Sequence, residues 1–288
     1  MKYAICNETF EGWEHARVCE RAAELGYTGL EMAPFTLAPR ITDVSAARRV
    51  ELRKQAEITG VQIIGLHWLL AKTEGFHLTS PDAATRKRTG EYLAEMSHAA
   101  ADLGGDILVF GSPFQRNLPE GMTREEGEAN AVDTLSYCLP ALEHDRVYLC
   151  LEPLTPAETN FMTCAADAVR LARKLAHPYV KLHLDVKAMS AESEPTPDVI
   201  RANREFFHHF HANDPNKRGP GFGKTDFKPI FEALRDVDYR GWVSVEVFDY
   251  SPDPDTIARE SIQYMRECEG SGGSFHPEVS QIDINPRM

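Results

Sequence analysis

The chain has 288 residues, of which 42% are hydrophobic and 26% charged, so it can bury a large core beneath an ordinary mixed surface. Its formal net charge of -13 argues against a protein that grips a phosphate backbone through a broad basic face. No apolar run approaches the roughly 18 residues of a membrane helix, and the first residues lack a signal-peptide pattern. The six cysteines are scattered without a CxxC pair, which is typical of reduced thiols and favours a cytoplasmic protein.

Short apolar runs alternate with amphipathic stretches of helical period along most of the chain. Eight strands are predicted, at Tyr3–Asn7, Gly29–Met32, Val61–Trp68, Asp106–Phe110, Val147–Glu152, Val180–Asp185, Phe206–His211 and Trp242–Val247. Each is followed by a predicted helix, at Trp13–Leu25, Ser45–Thr59, Pro81–Leu103, from about Thr123, and at Ala165–Leu175, Pro197–Arg204, Phe227–Leu234 and Asp255–Cys268. Ser80 and Thr196 are the predicted N-caps of the third and sixth helices, each with a proline after it.

This alternation predicts an α/β fold of parallel strands joined by crossover helices. Eight units close naturally into a (β/α)₈ TIM barrel, here a single domain over residues 1–268. The rival is a doubly wound open sheet, but no GxGxxG follows the first strand and no GxxxxGK[ST] occurs. Residues 269–288 are rich in Gly, Ser and Pro without periodicity, which predicts a loose or partner-packed C-terminal tail.

Four successive predicted strands carry a potential metal ligand at their C-terminal ends. These are Glu152 in "CLEPL", Asp185 in "HLDV", His211 in "HFHAND" and Glu246 in "SVEVF". In such barrels the catalytic groups project from this end of the strands, so the four side chains should meet at one rim. Three carboxylates and an imidazole suit one Mn²⁺, Mg²⁺ or Co²⁺ ion, with Zn²⁺ possible. A buried carboxylate such as Glu246 needs a partner of this kind.

The pattern "LEP…HLD…HAND…VEVF" resembles the xylose isomerase-like superfamily of TIM barrels, also called the sugar phosphate isomerase/epimerase family. The resemblance covers nearly the whole chain, and its motifs are specific for fold and metal site but loose for substrate. It implies that Glu152, Asp185, His211 and Glu246 bind the metal, as the matching residues do in ketose 3-epimerases and inosose isomerases. It also implies that Glu152 and Glu246 act as acid and base on opposite faces of the substrate.

Such a constellation suits proton abstraction and return through a metal-stabilised enediolate of a keto-sugar or cyclitol. Return of the proton to the opposite face gives epimerisation, and return to the neighbouring carbon gives aldose–ketose isomerisation. Loss of a β-hydroxyl group gives dehydration instead. We therefore expect an isomerase or epimerase, and the alternative is a lyase resembling the dehydroshikimate or keto-inositol dehydratases of this superfamily.

Further residues are substrate-binding candidates. Glu158, six residues after Glu152, matches a family glutamate that contacts substrate or the neighbouring acid/base group, and its alternative is a solvated loop acid. His67 ends the third predicted strand, where relatives often place a histidine near the substrate. His183 should face inward beside Asp185 as a supporting residue.

The loop after His211 contains Lys217, at the place of a substrate-binding arginine in epimerases, and Arg218 beside it. Either suits a hydroxyl, carboxylate or phosphate group, or is a plain surface charge. One departure from the family pattern is Ala188, where many epimerases have a histidine three residues after the aspartate. That substrate contact is absent or is replaced by Lys187, which puts a standard ketose 3-epimerase assignment in doubt.

The expected partner is a small-molecule carbohydrate, with no nucleic acid and no membrane, and relatives suggest a homo-oligomer, either a dimer or a tetramer. DNA-repair endonucleases of the same fold need that missing histidine and another after the fourth strand, which here ends "VFGSP". A non-catalytic sugar-binding or scaffold protein is the remaining alternative, and it would need one of the four ligands out of place.

Overall fold

The structure, a computed structural model, describes residues 1–270, and within them eight parallel strands form a closed barrel in chain order. The strands are β1 Lys2–Cys6, β2 Gly29–Met32, β3 Gln62–Leu66, β4 Ile107–Phe110, β5 Tyr148–Leu151, β6 Val180–Asp185, β7 Phe207–Ala212 and β8 Trp242–Val245. The barrel closes through parallel pairing of β1 with β8. The predicted (β/α)₈ barrel is thus confirmed. Because the strands are parallel, their C-terminal ends all lie on one rim of the barrel.

The helices form the outer layer around the strands. They are α1 His15–Leu25, α2 Ala46–Ile58, α3 Ala83–Leu103, α4 Arg124–Ser136, α5 Leu139–Asp145, α6 Ala165–Leu175, α7 Val186–Met189, α8 Thr196–Ala202, α9 Lys228–Asp236 and α10 Pro254–Glu269. Two helices, α4 and α5, lie between β4 and β5, where the sequence predicted one. The break follows from Pro140, which stands in the first turn of α5 and could not continue a helix through this point. No helix of residues 1–270 is long and apolar enough to cross a membrane.

The two predicted N-caps are wrong. Helix α3 is capped by Asp82, whose carboxylate accepts hydrogen bonds from the N–H groups of Ala84 and Thr85, while Ser80 Oγ accepts from the Asp82 N–H. A carboxylate is both a hydrogen-bond acceptor and a negative charge at the helix N-terminus, so it displaces the upstream serine. In α8 the cap position is Pro195, and Thr196 is already helical.

Side chains two residues apart on each strand point into the barrel together. The interior towards the N-terminal ends of the strands is apolar, with Ala4, Ile107 and Trp242 in one cluster. Towards the C-terminal rim the interior becomes polar, with buried carboxylates and imidazoles, while the main apolar core lies between barrel and helices. The predicted tail, residues 269–288, lies outside the described residues except for Glu269 and Gly270, and Glu269 still belongs to α10.

Candidate active site

The four predicted ligands come together at the C-terminal rim of the barrel. Glu152 follows β5, Asp185 ends β6, His211 lies in β7, and Glu246 follows β8; each is at most 3% exposed. One ligand atom from each of Glu152, Asp185, His211 and His183 lies within 4.8 Å of the others. Glu246 joins this group through its Oε2 atom, 3.2 Å from His211 Nδ1. Glu152, Asp185 and His211 are thus close enough to share one cation, with Glu246 beside His211, and metal binding by the four residues stays a prediction.

The Asp185 carboxylate is held by α7, which follows it in the chain, and by the residue after the neighbouring strand β7. Its Oδ1 atom accepts a hydrogen bond from the Ala188 N–H at 2.8 Å, and its Oδ2 atom accepts one from Asn213 Nδ2 at 2.5 Å. Asn213, the third residue of the "HAND" motif, also accepts from the Lys187 N–H. Each carboxylate oxygen keeps a second lone pair free for a cation.

The Glu152 carboxylate lies against the end of the neighbouring strand. Gly111 directly follows β4, and a Cβ atom at this position would overlap Glu152 Oε2. Only glycine leaves room for the carboxylate there. Arg116 is fully buried and donates hydrogen bonds to the carbonyl oxygens of Phe110 and Glu152. It therefore fixes the ends of β4 and β5 relative to each other.

The His211 ring is oriented by a buried carboxylate of β2. His211 Nε2 lies 3.1 Å from Glu31 Oε2, and His209 Nε2 lies 2.9 Å from the same oxygen. Burial by itself raises the pKa of Glu31, but His209 and His211 lower it well below its ordinary value, so Glu31 is an acceptor. The proton of a neutral His211 ring is thus held on Nε2. This leaves the Nδ1 lone pair directed towards Glu246 and the other ligands.

Several buried atoms here have no hydrogen-bond partner among the described residues. They are both carboxylate oxygens of Glu246, Nδ1 of His211 and both ring nitrogens of His183. Glu246 Oε2 and His211 Nδ1 are close but not aligned as donor and acceptor. Unpaired buried polar atoms are costly unless something else satisfies them. The donor set of oxygens and imidazole nitrogens fits a divalent cation.

Burial and mutual repulsion separate the pKa values of the two glutamates. Burial, with the charges of Glu246 and Asp185, raises the pKa of Glu152 well above its ordinary range. Burial acts the same way on Glu246, but the neighbouring His211, and after it His67, outweigh burial and lower that pKa. Burial raises the pKa of Asp185 to about 6. Two carboxyls with opposite shifts are suited to act as acid and base.

Glu158 forms an ion pair with a buried lysine. Lys187 Nζ lies 2.7 Å from Glu158 Oε1, and the other oxygen of Glu158 accepts hydrogen bonds from Thr155. Burial alone lowers the pKa of Lys187, but Asp185 and Glu158 raise it above its ordinary value, so the ammonium stays charged. Position 188, where many relatives have histidine, is a buried alanine. Lys187 therefore supplies a cation beside the predicted acid/base groups, and Glu158 is not a free loop acid.

His67 and His183 are both fully buried. His67 Nε2 lies 3.0 Å from Glu8 Oε2, without the alignment of a hydrogen bond, and both groups lie within 4.8 Å of a Glu246 oxygen. Burial lowers the pKa of His67, but Glu8 raises it more, to about 9. His183 faces the interior as predicted, with its ring centroid 4.1 Å from that of His211. A substrate contact of either ring stays a prediction.

Lys217 and Arg218 lie on the loop that packs beside the segment after Glu246. The Lys217 carbonyl accepts hydrogen bonds from the Phe248 and Asp249 N–H groups, while its side chain is exposed. Arg218 Nε donates to Asp249 Oδ2 at 2.9 Å. The loop is thus anchored to the site by its backbone, and a substrate role for either cation stays a prediction.

Sequence reasoning missed three buried charged residues of this rim: Glu8, Glu31 and Arg116. The signal for Glu31 was present, because a carboxylate inside the apolar strand "GLEM" poses the same question as Glu246 in "WVSVEVF". Glu8 and Arg116 stand in polar loop segments, where a charged residue usually faces solvent, so their burial required the tertiary fold.

Comparisons with known proteins identify the family of this fold. Residues 19–268 match the family model described as xylose isomerase-like TIM barrel. A D-psicose 3-epimerase of Agrobacterium fabrum is 28% identical over 86% of this chain and 85% of its own length. A 3-dehydro-D-guloside 4-epimerase of Escherichia coli is 30% identical over 93% of this chain and 100% of its own.

A crystal structure of D-psicose 3-epimerase in the presence of D-fructose superposes with a TM-score of 0.82 at 24% identity, covering 94% of this chain and 100% of the other. That likeness supports the fold. Because the family model spans most of the chain, the protein belongs to the xylose isomerase-like TIM barrel family.

Proposed function

We propose that this protein is a divalent-metal-dependent epimerase or isomerase of keto-sugars or cyclitols, with Glu152, Asp185, His211 and Glu246 as the metal ligands. The observation that supports it best is the position of these four side chains at the C-terminal rim, with the Glu246 oxygens and His211 Nδ1 lacking hydrogen-bond partners among residues 1–270. Relatives named as psicose and guloside epimerases support a sugar substrate. Mn²⁺, Mg²⁺ and Co²⁺ suit the donors, and Zn²⁺ is compatible.

The proposed acid/base pair is Glu152 and Glu246. They follow β5 and β8, with β6 and β7 between them, so their carboxyl groups approach a bound substrate from different directions. A bound divalent cation would polarise the substrate carbonyl and acidify the adjacent C–H group. Glu246, with its lowered pKa, is the carboxyl that is ionised and free to accept a proton, and Glu152, with its raised pKa, is the one that holds a proton to donate. Proton return from the other side yields an epimer.

Chelation tests the metal requirement. After treatment with EDTA, turnover of keto-hexoses should be lost, and addition of Mn²⁺ or Co²⁺ should restore it, because the carboxylates alone cannot polarise the carbonyl. The assay is chromatography of the products formed in D₂O, with mass spectrometry of each peak. An epimer has the composition of the starting sugar with one hydrogen replaced by deuterium, whereas a dehydratase product has lost water. Full turnover in EDTA would contradict the proposal.

Lys187 is the proposed replacement for the missing histidine contact. Lys187→Met should lower kcat/KM about 10–100-fold, mainly through KM, because a charged hydrogen bond is worth about 1.5–3 kcal/mol. Lys87→Met is the matched control, since Lys87 is exposed on α3. Steady-state kinetics of both variants give the comparison. Equal kcat/KM values for wild type and Lys187→Met would place this ammonium outside the substrate contacts.

A homo-oligomer and a cytoplasmic location complete the proposal. Both rest on the sequence expectations given above, and the oligomeric state is measurable by sedimentation equilibrium.

A further inference from the structure

A cavity of about 590 Å³ adjoins the predicted metal site without containing any of its four ligands. This volume lies within the range of about 300–1,000 Å³ that is usual for small-molecule sites. The cavity lies where the segments after β1, β2, β3 and β8 meet, and it extends outwards between α1 and α2. It is therefore on the catalytic rim, beside the place where the reacting carbons must lie.

The cavity shares walls with the site. Glu8 lines the cavity, and its Oε2 atom is 3.0 Å from His67 Nε2. One atom each of Glu8, His67 and Glu246 lies within 4.8 Å of the other two. Trp68 also lines the cavity, and its ring stacks on Phe248 with centroids 5.6 Å apart. A molecule bound at Glu246 can thus continue into this space past Glu8 and Trp68.

The lining carries an aromatic surface that is only half-buried. Trp13, Phe35, Trp68 and Tyr250 all contribute to it, and Phe35 lies 5.8 Å from Trp68 between ring centroids. Trp68 has a backbone φ of 52°, in the left-handed region that a bulky residue rarely adopts. The contacts of its ring with Phe35 and Phe248 hold it at the cavity wall despite this backbone strain.

Next to these rings lies the buried carboxylate of Glu8, which is ion-paired with His67 but has no aligned hydrogen-bond donor among residues 1–270. Glu8 is only 4% exposed, and neither of its oxygens has a hydrogen-bond partner among residues 1–270. The turn that carries Phe35 is fixed to the end of β1, since Asn7 accepts from the Ala33 N–H at 2.7 Å and donates to Thr36 Oγ1 at 2.8 Å. Rings and acceptor are therefore pre-organised before any ligand binds.

We propose that this cavity binds a glycosyl substituent of the keto-sugar, so that the preferred substrates are keto-glycosides and not free keto-hexoses. The apolar C–H faces of a sugar ring pack on Trp68 and Phe35, and its hydroxyl groups donate to Glu8. A free hexose with its reacting carbons at Glu152 and Glu246 leaves the cavity to water. The inference rests on the proposed function for the placement of the reacting ring.

Tryptophan fluorescence gives a binding assay that does not depend on turnover. Two of the three tryptophans, Trp13 and Trp68, line the cavity, and the third, Trp242, lies at the other end of the barrel. The probes are D-fructose and two fructose disaccharides, lactulose and isomaltulose, titrated into the Mn²⁺-loaded protein. We expect at least one disaccharide to quench fluorescence with a Kd at least tenfold below that of D-fructose.

Variants assign the preference to the cavity. Phe35→Ala and Glu8→Gln should each shrink the ratio of fructose to disaccharide Kd towards one, and Tyr137→Ala, an exposed aromatic at the end of α4, should retain it. Equal Kd values for disaccharides and fructose in the wild type would overturn the inference. So would tighter binding of fructosyl-lysine than of both disaccharides, since a cationic substituent would then be the preferred occupant of the cavity.

Epimerisation of the same sugars separates the two proposals. Turnover of D-fructose without any disaccharide preference in binding would overturn the glycosyl subsite and leave the proposed function standing. Tight disaccharide binding that depends on Phe35, with no metal-dependent turnover of any keto-sugar, would overturn the proposed function and leave the subsite standing.

Discussion

Glu246→Gln should reduce keto-sugar turnover by about 10²–10⁴-fold while the barrel stays folded. The amide cannot accept a proton at neutral pH, and its neutral oxygen is a weaker ligand for a cation than the carboxylate. The Glu246 oxygens lack hydrogen-bond partners within residues 1–270, so replacing one of them by an NH₂ group breaks no hydrogen bond there. The measurement is kcat in saturating Mn²⁺, together with loss of deuterium exchange at the epimerised carbon.

Glu232→Gln is a matched control, because Glu232 is an exposed glutamate of α9 outside the site. Far-UV circular dichroism and thermal unfolding of both variants establish that the fold is retained. If Glu246→Gln epimerised keto-sugars at the wild-type rate, Glu246 could not be the base, and the assignment of the acid/base pair would be wrong.

Glu31→Gln should weaken Mn²⁺ binding about 10–100-fold, although Glu31 is not expected to touch the ion. The Glu31 carboxylate lies 3.1 Å from His211 Nε2 and holds the ring proton there, which leaves Nδ1 for the cation. A glutamine keeps the shape but loses the charge that makes the His211 ring a stronger donor. Its NH₂ group must also lie beside His209 or His211. Mn²⁺ affinity is measured by isothermal titration calorimetry on metal-stripped protein.

Glu128→Gln is the matched control for this second variant. Like Glu31, Glu128 is a buried carboxylate held by two nitrogen groups, here the cations of Arg170 and Lys174, but it lies on α4, outside the barrel. A similar loss of thermal stability in both variants, with weaker Mn²⁺ binding only in Glu31→Gln, supports orientation of His211 by Glu31. Wild-type Mn²⁺ affinity in Glu31→Gln would show that the His211 ring keeps its orientation without this carboxylate.

Local sequence patterns were sufficient to predict the fold and the convergence of the four strand-end residues. Alternation of period determines which segments become strands, and closure of eight parallel strands brings all their C-terminal ends, including those that precede Glu152 and Glu246, to one rim whatever the loops do. The predictions that were wrong concern where helices begin and end, which depends on neighbouring residues that can each fill the same position. Ser80 lost the cap position to Asp82, and one predicted helix was divided at Pro140.

The sequence by itself determined the barrel, its family and the donor types at the rim, because these depend on spacing and on the period of apolar residues. Only the tertiary structure decided which groups support those donors. Glu31 of β2 reaches His211 of β7, Lys187 of α7 pairs with Glu158 in the loop after β5, and Trp68 and Glu8 line the same cavity. Such contacts depend on interatomic distances of 3–4 Å between segments far apart in the chain, and no local pattern encodes those distances.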